Sequence, residues 1–166
     1  DQFGQILPVK DLMSWFELDK YLSASEQEVI KGELAALVEI EEAMEKLRKG
    51  MYIMIREGTS TRNLTALLPL INDFNLARIM FCTDDRHPID LVEEGHIDFI
   101  LRKAIKLGLA PISAIRIATI NPALYFNLKN LGAIAPGYYA DMVVMNKLEN
   151  IDIDMVIKNG KIVARG

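Results

Sequence analysis

The sequence predicts an α/β fold followed by a small β-rich segment, and three observations carry that reading. Two short, continuously apolar runs, MYIMIR and LARIMFC, each end in a polar cluster and are separated by a helical stretch. Such runs read as buried strands, and strands joined through helices pair in parallel, with both faces of the sheet covered. After Leu131 the texture changes to short β-rich runs, and Asn159-Gly160 between MVIK and KIVA is a strong two-residue hairpin signal. The chain is therefore divided near residue 130, into an α/β part over 1–130 and a β part over 131–166.

Taken in order, LMSWFELDKYL fits a short amphipathic helix, but Pro8 and the lack of a clear cap leave the first two dozen residues open. From Ser25 the signal improves, because S-E-Q-E is a capping box in which Ser25 covers free amides and Glu28 reaches back. Apolar residues then recur at Ile30, Leu34, Leu37, Ile40, Met44, Leu47 and Met51, a helical stripe that Gly50 stops. Its acidic start and its Lys46, Arg48 and Lys49 end suit the helix dipole. MYIMIR is the first strand. NLTALLPLI supplies a helix with Pro69 near its end, and LARIMFC is the second strand. A helix then runs roughly from Leu91 to Leu107, with Gly108 just past it. PISAIRIATI begins a further helix with a proline in the first turn, and NPALYFNL begins the next with Asn121 as cap and Pro122 at its first position.

Composition narrows the function classes. At 166 residues the chain has the size of one domain, large enough to bury roughly 70% of its extended surface. With 19 basic against 23 acidic residues, nothing argues for nucleic acid. No apolar run approaches the ~20 residues that span a bilayer, and DQFGQILPVK lacks a signal-peptide pattern, so no membrane partner is expected and the cytoplasm is the expected compartment. The single cysteine, Cys82, excludes an internal disulfide and reads as a small buried hydrophobe.

The candidate site is FCTDDRHP, residues 81–88. In parallel α/β architectures the loops at the C-terminal ends of strands form the active face. Asp84 and Asp85 stand at such an end, where they either cap the next helix or act as a metal ligand and proton acceptor. His87 is either a solvent-facing loop residue or part of the site, and His96 either caps and packs or ligates. IREGTSTRN ends the other strand on the same face, so Arg56, Glu57 and Ser60 are pocket candidates, which loop chemistry explains equally well.

These residues also carry a resemblance. FCTDDRHPIDLVEEGHIDFILRKAIKLGL, followed by AIRIATINPALYFNLKNLGAIAPGYYADMVVM and MVIKNGKIVA, is similar to the adenine deaminase branch of the amidohydrolase superfamily, and EEAMEKLRKGMYIMIREGTSTRNLTALLPLI resembles the part just upstream. The likeness runs from about Glu41 to Gly166. It implies a metal-dependent (β/α)8 barrel, present here in part, with a small C-terminal β-sandwich segment; MYIMIR would be the seventh barrel strand and ARIMFCT the eighth. It implies hydrolytic deamination of adenine to hypoxanthine and ammonia, with Asp84 as metal ligand and proton shuttle and Asp85 as its catalytic companion or support. Arg56, Glu57 and His87 are then expected near the substrate, and Arg86 and His96 in outer positions. The expected cofactor is a divalent metal, manganese first, with iron or zinc also compatible with such donors.

The same resemblance sets a limit. The family's other ligand motifs, a His-x-His, a His-Ala-Pro-Gly and a Ser-Asp-His-Glu, are missing, and the chain has only 2 histidines in total. A stretch of barrel is expected to be missing near Val38 or Glu39, although the apolar stripe reads as one helix through that point. One carboxylate does not bind a catalytic metal pair, so the chain alone is expected to be inactive. Either it belongs to a longer enzyme or it is a degenerate, non-catalytic descendant. Open strand edges then call for a homo-oligomer or the remainder of the barrel as partner.

Overall fold

A computed structural model describes residues 23–25 and 39–166. The expected helix in LMSWFELDKYL, most of the Ser25 capping box and the junction near Val38 lie outside the described residues. The stripe is seen as a helix over 39–48, here α1. Lys46 reaches Glu42 at 2.5 Å and Lys49 reaches Glu45 at 2.6 Å, both one turn apart along its exposed side. Gly50 ends it at φ 84°, with its own N–H on Leu47 O and that of Met51 on Lys46 O, the paired bonds of a Schellman motif.

Strands β1 (Ile53–Arg56) and β2 (Ile79–Cys82) pair in parallel, in a register that sets Ile53 opposite Ile79 and Arg56 opposite Cys82. Their connection holds a single α-turn, α2 (Leu64–Leu67), and two 3-10 turns, Leu68–Leu70 and Leu76–Arg78. The expected longer helix stops there because Pro69 has no N–H to continue the ladder. Alternation replaces the expected burial on both faces in β1: Ile53 and Ile55 are buried, whereas Met54 is 38% exposed. Among the described residues β1 pairs with β2 alone, and Met54 borders a cavity beside α1 rather than a packed layer. Cys82 is half-buried rather than fully enclosed.

The region read as one helix from Leu91 to Leu107 is two, α3 (Pro88–Glu93) and α4 (Ile97–Lys106). Gly95 separates them at φ 109°, a conformation that ends a helix, and a side chain there would press on Asp98 and Arg102. Asp98 accepts the His96 N–H at 2.8 Å and ties down the start of α4. Gly108 closes α4 as expected, at φ 104°. Helices α5 (Pro111–Ala118) and α6 (Ile120–Tyr125) follow. Pro111 lies in the first turn of α5. Asn121 is not a cap: Thr119 precedes α6, and the Asn121 carboxamide is buried, donating to Leu76 O at 2.7 Å and Ile79 O at 2.8 Å. Tertiary demand for a donor beneath β2 overrides its capping preference.

The last three strands, β3 (Met142–Lys147), β4 (Asp152–Lys158) and β5 (Lys161–Arg165), form an antiparallel sheet in that order. Asn159 and Gly160 turn β4 into β5 with φ of 50° and 75°, the paired positive values of the expected turn. One core joins the elements. Ile53, Ile55, Ile79 and Phe81 meet Leu64, Leu67, Leu70, Ile100, Ala104 and Ile117, and Ile151, in the turn before β4, enters the same cluster. Each fully buried Ile or Leu contributes about 1.5–3 kcal/mol. Strand ends β1 and β2 are thereby fixed side by side, with their following loops at one end.

Candidate active site: the loops after β1 and β2

Parallel pairing extends one step beyond the strands, where Glu57 N–H donates to Cys82 O at 3.0 Å. Beyond that point the chain turns back. Glu57 bridges to Arg62, Gly58 N–H donates to Thr61 O at 2.9 Å, and Asn63 closes the loop through two bonds with the Arg56 backbone, at 2.8 and 3.0 Å.

Asp84 and Asp85 cap no helix; His87 holds the position before α3, with Pro88 first in the helix. The two aspartates point to different partners. Asp84 has φ 52°, and its Oδ2 lies 3.1 Å from Arg56 Nη1 with both side chains partly open to solvent. Asp85 Oδ2 accepts the Ser60 N–H at 3.1 Å. The Ser60 hydroxyl holds the Asp85 carboxyl below the usual range; burial opposes this, and the Ser60 and Thr61 amides add to the lowering. Arg56, Ser60, Asp84 and Asp85 thus lie together beyond the ends of β1 and β2.

Glu57 is not on that surface. Its side chain is 0% exposed, with Oε1 2.5 Å from Lys103 Nζ and 4.0 Å from Arg62 Nε, and among the described residues Oε2 lacks a partner. Arg86 is also withdrawn, at 2% exposure. Its guanidinium lies 4.5 Å from the Phe99 ring centre, pairs with Glu94 at 2.5 Å and donates to Gly95 O at 2.8 Å, Glu57 O at 3.3 Å and Asp90 O at 3.4 Å. His87 is exposed, and its N–H donates to Thr59 Oγ1 at 2.9 Å; Thr59 in turn bonds Asp90. His96 places Nε2 3.2 Å from Thr83 Oγ1.

Gly58, Thr59, Asp90, Glu94 and Lys103 were missed by sequence reasoning. Lys103 and Thr59 find their partners 46 and 31 residues away, and local patterning is silent on such pairs. Gly58 did leave a signal, since a glycine next to a strand end marks a close approach. A cavity of about 430 Å³ lies beside β1 and α1, lined by Arg56, Asn63, Met54 and Tyr52 among others, and does not include Asp84.

A profile of the amidohydrolase family matches residues 7–163. The chain belongs to that family. Curated relatives named adenine deaminase include one from Kosmotoga olearia, 56% identical over 75% of this chain and 22% of its own length. Another from Thermosipho africanus is 58% identical over 74% of this chain and 21% of its own. A third from Dehalococcoides mccartyi is 50% identical over 92% of this chain and 26% of its own. The chain thus spans about a quarter of the length of these relatives. A solved beta-aspartyl dipeptidase from Fervidobacterium islandicum AW-1 shares the fold, at a TM-score of 0.60 and 22% identity, over 76% of this chain and 36% of that one. The α/β content fits an amidohydrolase.

Amidohydrolases generally use a divalent metal. The described residues do not make up such a site by themselves. Among them no three His, Cys, Asp or Glu side chains come close enough to share an ion. Asp84 is instead engaged by Arg56, and Asp85 by Ser60. Among the described residues, no helix is long and apolar enough to cross a membrane.

Proposed function

We propose that this amidohydrolase chain is the part of an adenine deaminase that carries the last two barrel strands and a β-sandwich segment, with the division near residue 130. The observation that carries the reading is the 50–58% identity to relatives of that name, combined with a carboxylate at the mouth of a parallel strand pair. In the reaction, water adds to the adenine carbon bearing the exocyclic amine, the C–N bond breaks and ammonia leaves. Asp84 takes the proton from the attacking water and returns it to the departing amine. Arg56 steers the Asp84 carboxylate, and His87 on the same rim meets the substrate. Glu57, enclosed by Lys103, supports the loop from behind. In the assembled enzyme a divalent metal is held with Asp84 as this chain's ligand, manganese first and iron or zinc as alternatives, and the cytoplasm is the proposed compartment. The remaining donors come from polypeptide other than these 166 residues, so the chain alone is inactive.

The test is adenine-to-hypoxanthine turnover by the purified chain with manganese, iron or zinc, and by a chimera in which its matching segment replaces the corresponding 125 residues of the Kosmotoga olearia relative. Turnover by the chimera alone, abolished by Asp84→Asn, is the expected result. An inactive but folded chimera defeats the deaminase reading, and turnover by the chain alone defeats the incomplete-site reading. A second reading, a non-catalytic chain that self-associates, draws support from exposed apolar side chains such as Met51, Met54 and Val163.

A further inference from the structure

The two aspartates of FCTDDRHP are adjacent and chemically identical, yet their surroundings divide them. Asp84 turns its carboxylate toward Arg56 on the open rim. Asp85 turns its own onto the neighbouring loop, where Oδ2 accepts the Ser60 N–H at 3.1 Å. Its other oxygen lies over Gly58, in the place a side chain would need: a Cβ built on Gly58 would stand 1.9 Å from Asp85 Oδ1 and 3.0 Å from Thr83 O. Gly58 is not among the residues of positive φ. Its φ therefore does not call for a glycine; a side chain there would instead have to displace the Asp85 carboxylate and press on Thr83 O.

We infer that Asp85 is a positioning residue rather than a second catalytic carboxylate: it fixes Asp84 by clamping the loop after β2 onto Gly58 and Ser60 of the loop after β1. This deepens, and rests on, the deaminase reading of the same site. Three further contacts make the clamp a unit. Thr59 Oγ1 accepts the His87 N–H, Thr59 also bonds Asp90, and Arg86 donates to Glu57 O. These contacts hold the chain just after Asp84, and the bond from Glu57 N–H to Cys82 O holds it just before, so Asp84 at φ 52° stands between two anchored points. With one oxygen on an amide and the other against a glycine, the Asp85 carboxylate serves as an acceptor and a wedge. Both roles are filled by its shape and its oxygens, although the donors around it favour the charged form.

That distinction decides the experiment. Asparagine keeps the shape of Asp85 and one acceptor oxygen, whereas alanine removes both. In the chimera, Asp85→Asn is expected to restore most of the turnover that Asp85→Ala loses, the alanine lowering kcat about 100-fold as a base is displaced while KM changes little. Gly58→Ala, which evicts the carboxylate without touching Asp85, is expected to match Asp85→Ala. If Asp85→Asn is as damaging as Asp84→Asn, the charge takes part in the chemistry and the proposal is overturned. Full turnover by folded Asp85→Ala also overturns it. A parallel measurement on the 166-residue chain follows amide exchange at Ser60 and the Asp84 amide resonance by NMR. Both should survive in Asp85→Asn and change in Asp85→Ala. If the chimera is inactive, the deaminase reading fails, and these signals still decide the clamp: an unmoved Ser60 and Asp84 in Asp85→Ala rejects it.

Discussion

Glu57 and Arg86 are charged side chains withdrawn from water, and each is compensated differently. Arg86 has a planar fork with several donors, and carbonyls, Glu94 and the Phe99 face occupy them. Glu57 depends on one close partner, Lys103 at 2.5 Å, with Arg62 standing off at 4.0 Å. Removing one member of a buried pair leaves an uncompensated charge, which costs about 3–5 kcal/mol. Lys103 is partly open and Arg62 remains, so Lys103→Met is expected at the low end, about 3 kcal/mol, read from urea unfolding with Glu57→Gln/Lys103→Met as the control that restores part of the loss. A change below about 1 kcal/mol would mean that the Lys103 charge does not sustain Glu57. Residues 55–63 suggested that Glu57 belonged to the pocket, because a carboxylate after a strand looks the same whether it faces solvent or a lysine 46 residues away.

At the scale of elements, the hairpin of β4 and β5 carries a pH dependence of its own. Asp141 bonds Lys158 and accepts the Asn159 N–H at 2.8 Å. Its carboxyl is lowered first by the Lys158 hydrogen bond, then by the Asn159 amide, against opposing burial. A depressed carboxyl stabilises the fold fully above its unfolded value, near about 4, and that stability is lost as pH falls through the lower folded value. Hairpin stability should therefore decline below about pH 4, and Asp141→Asn should remove that part of the decline when amide exchange in β5 is followed against pH. An unchanged acid profile in Asp141→Asn would exclude the pair as its source. This hairpin was legible in the sequence because its cause is local: Asn-Gly accepts the two positive φ values that the turn requires. The Gly50 and Gly108 helix ends were legible for the same reason, and the two parallel strands because each is a short apolar run that ends in a polar cluster. The break at Gly95 was hidden by apolar residues that continue on both sides of it, and Asn121 misled because a cap and a buried brace use the same side chain. Within the site, the placement of Asp84 and Asp85 at a strand end could be read, whereas their separate partners depend on a loop about 25 residues earlier.

For the whole molecule the governing fact is an unfinished sheet. Among the described residues β1 pairs with β2 alone, so an outer strand edge is unpaired, and Met54 lies exposed on a face that parallel sheets normally cover. Met51 and Tyr52, 50% and 42% exposed, continue that apolar surface beside the cavity between α1 and β1. Water contact there is unfavourable in proportion to apolar area, and the rest of a barrel or a second copy of the chain would relieve it. We therefore expect the isolated chain to self-associate with rising concentration in sedimentation equilibrium, and Met54→Lys to weaken that association while leaving the far-UV spectrum unchanged, since an ammonium on this face resists burial. The C-terminal sheet offers a competing surface through Ile162 and Val163, 50% and 60% exposed. Val163→Lys separates the two: if it disperses the assembly and Met54→Lys does not, copies meet through the hairpin, and the open side of the barrel strands is not what holds them together. A wild-type chain that stays monomeric throughout would show that neither face drives association.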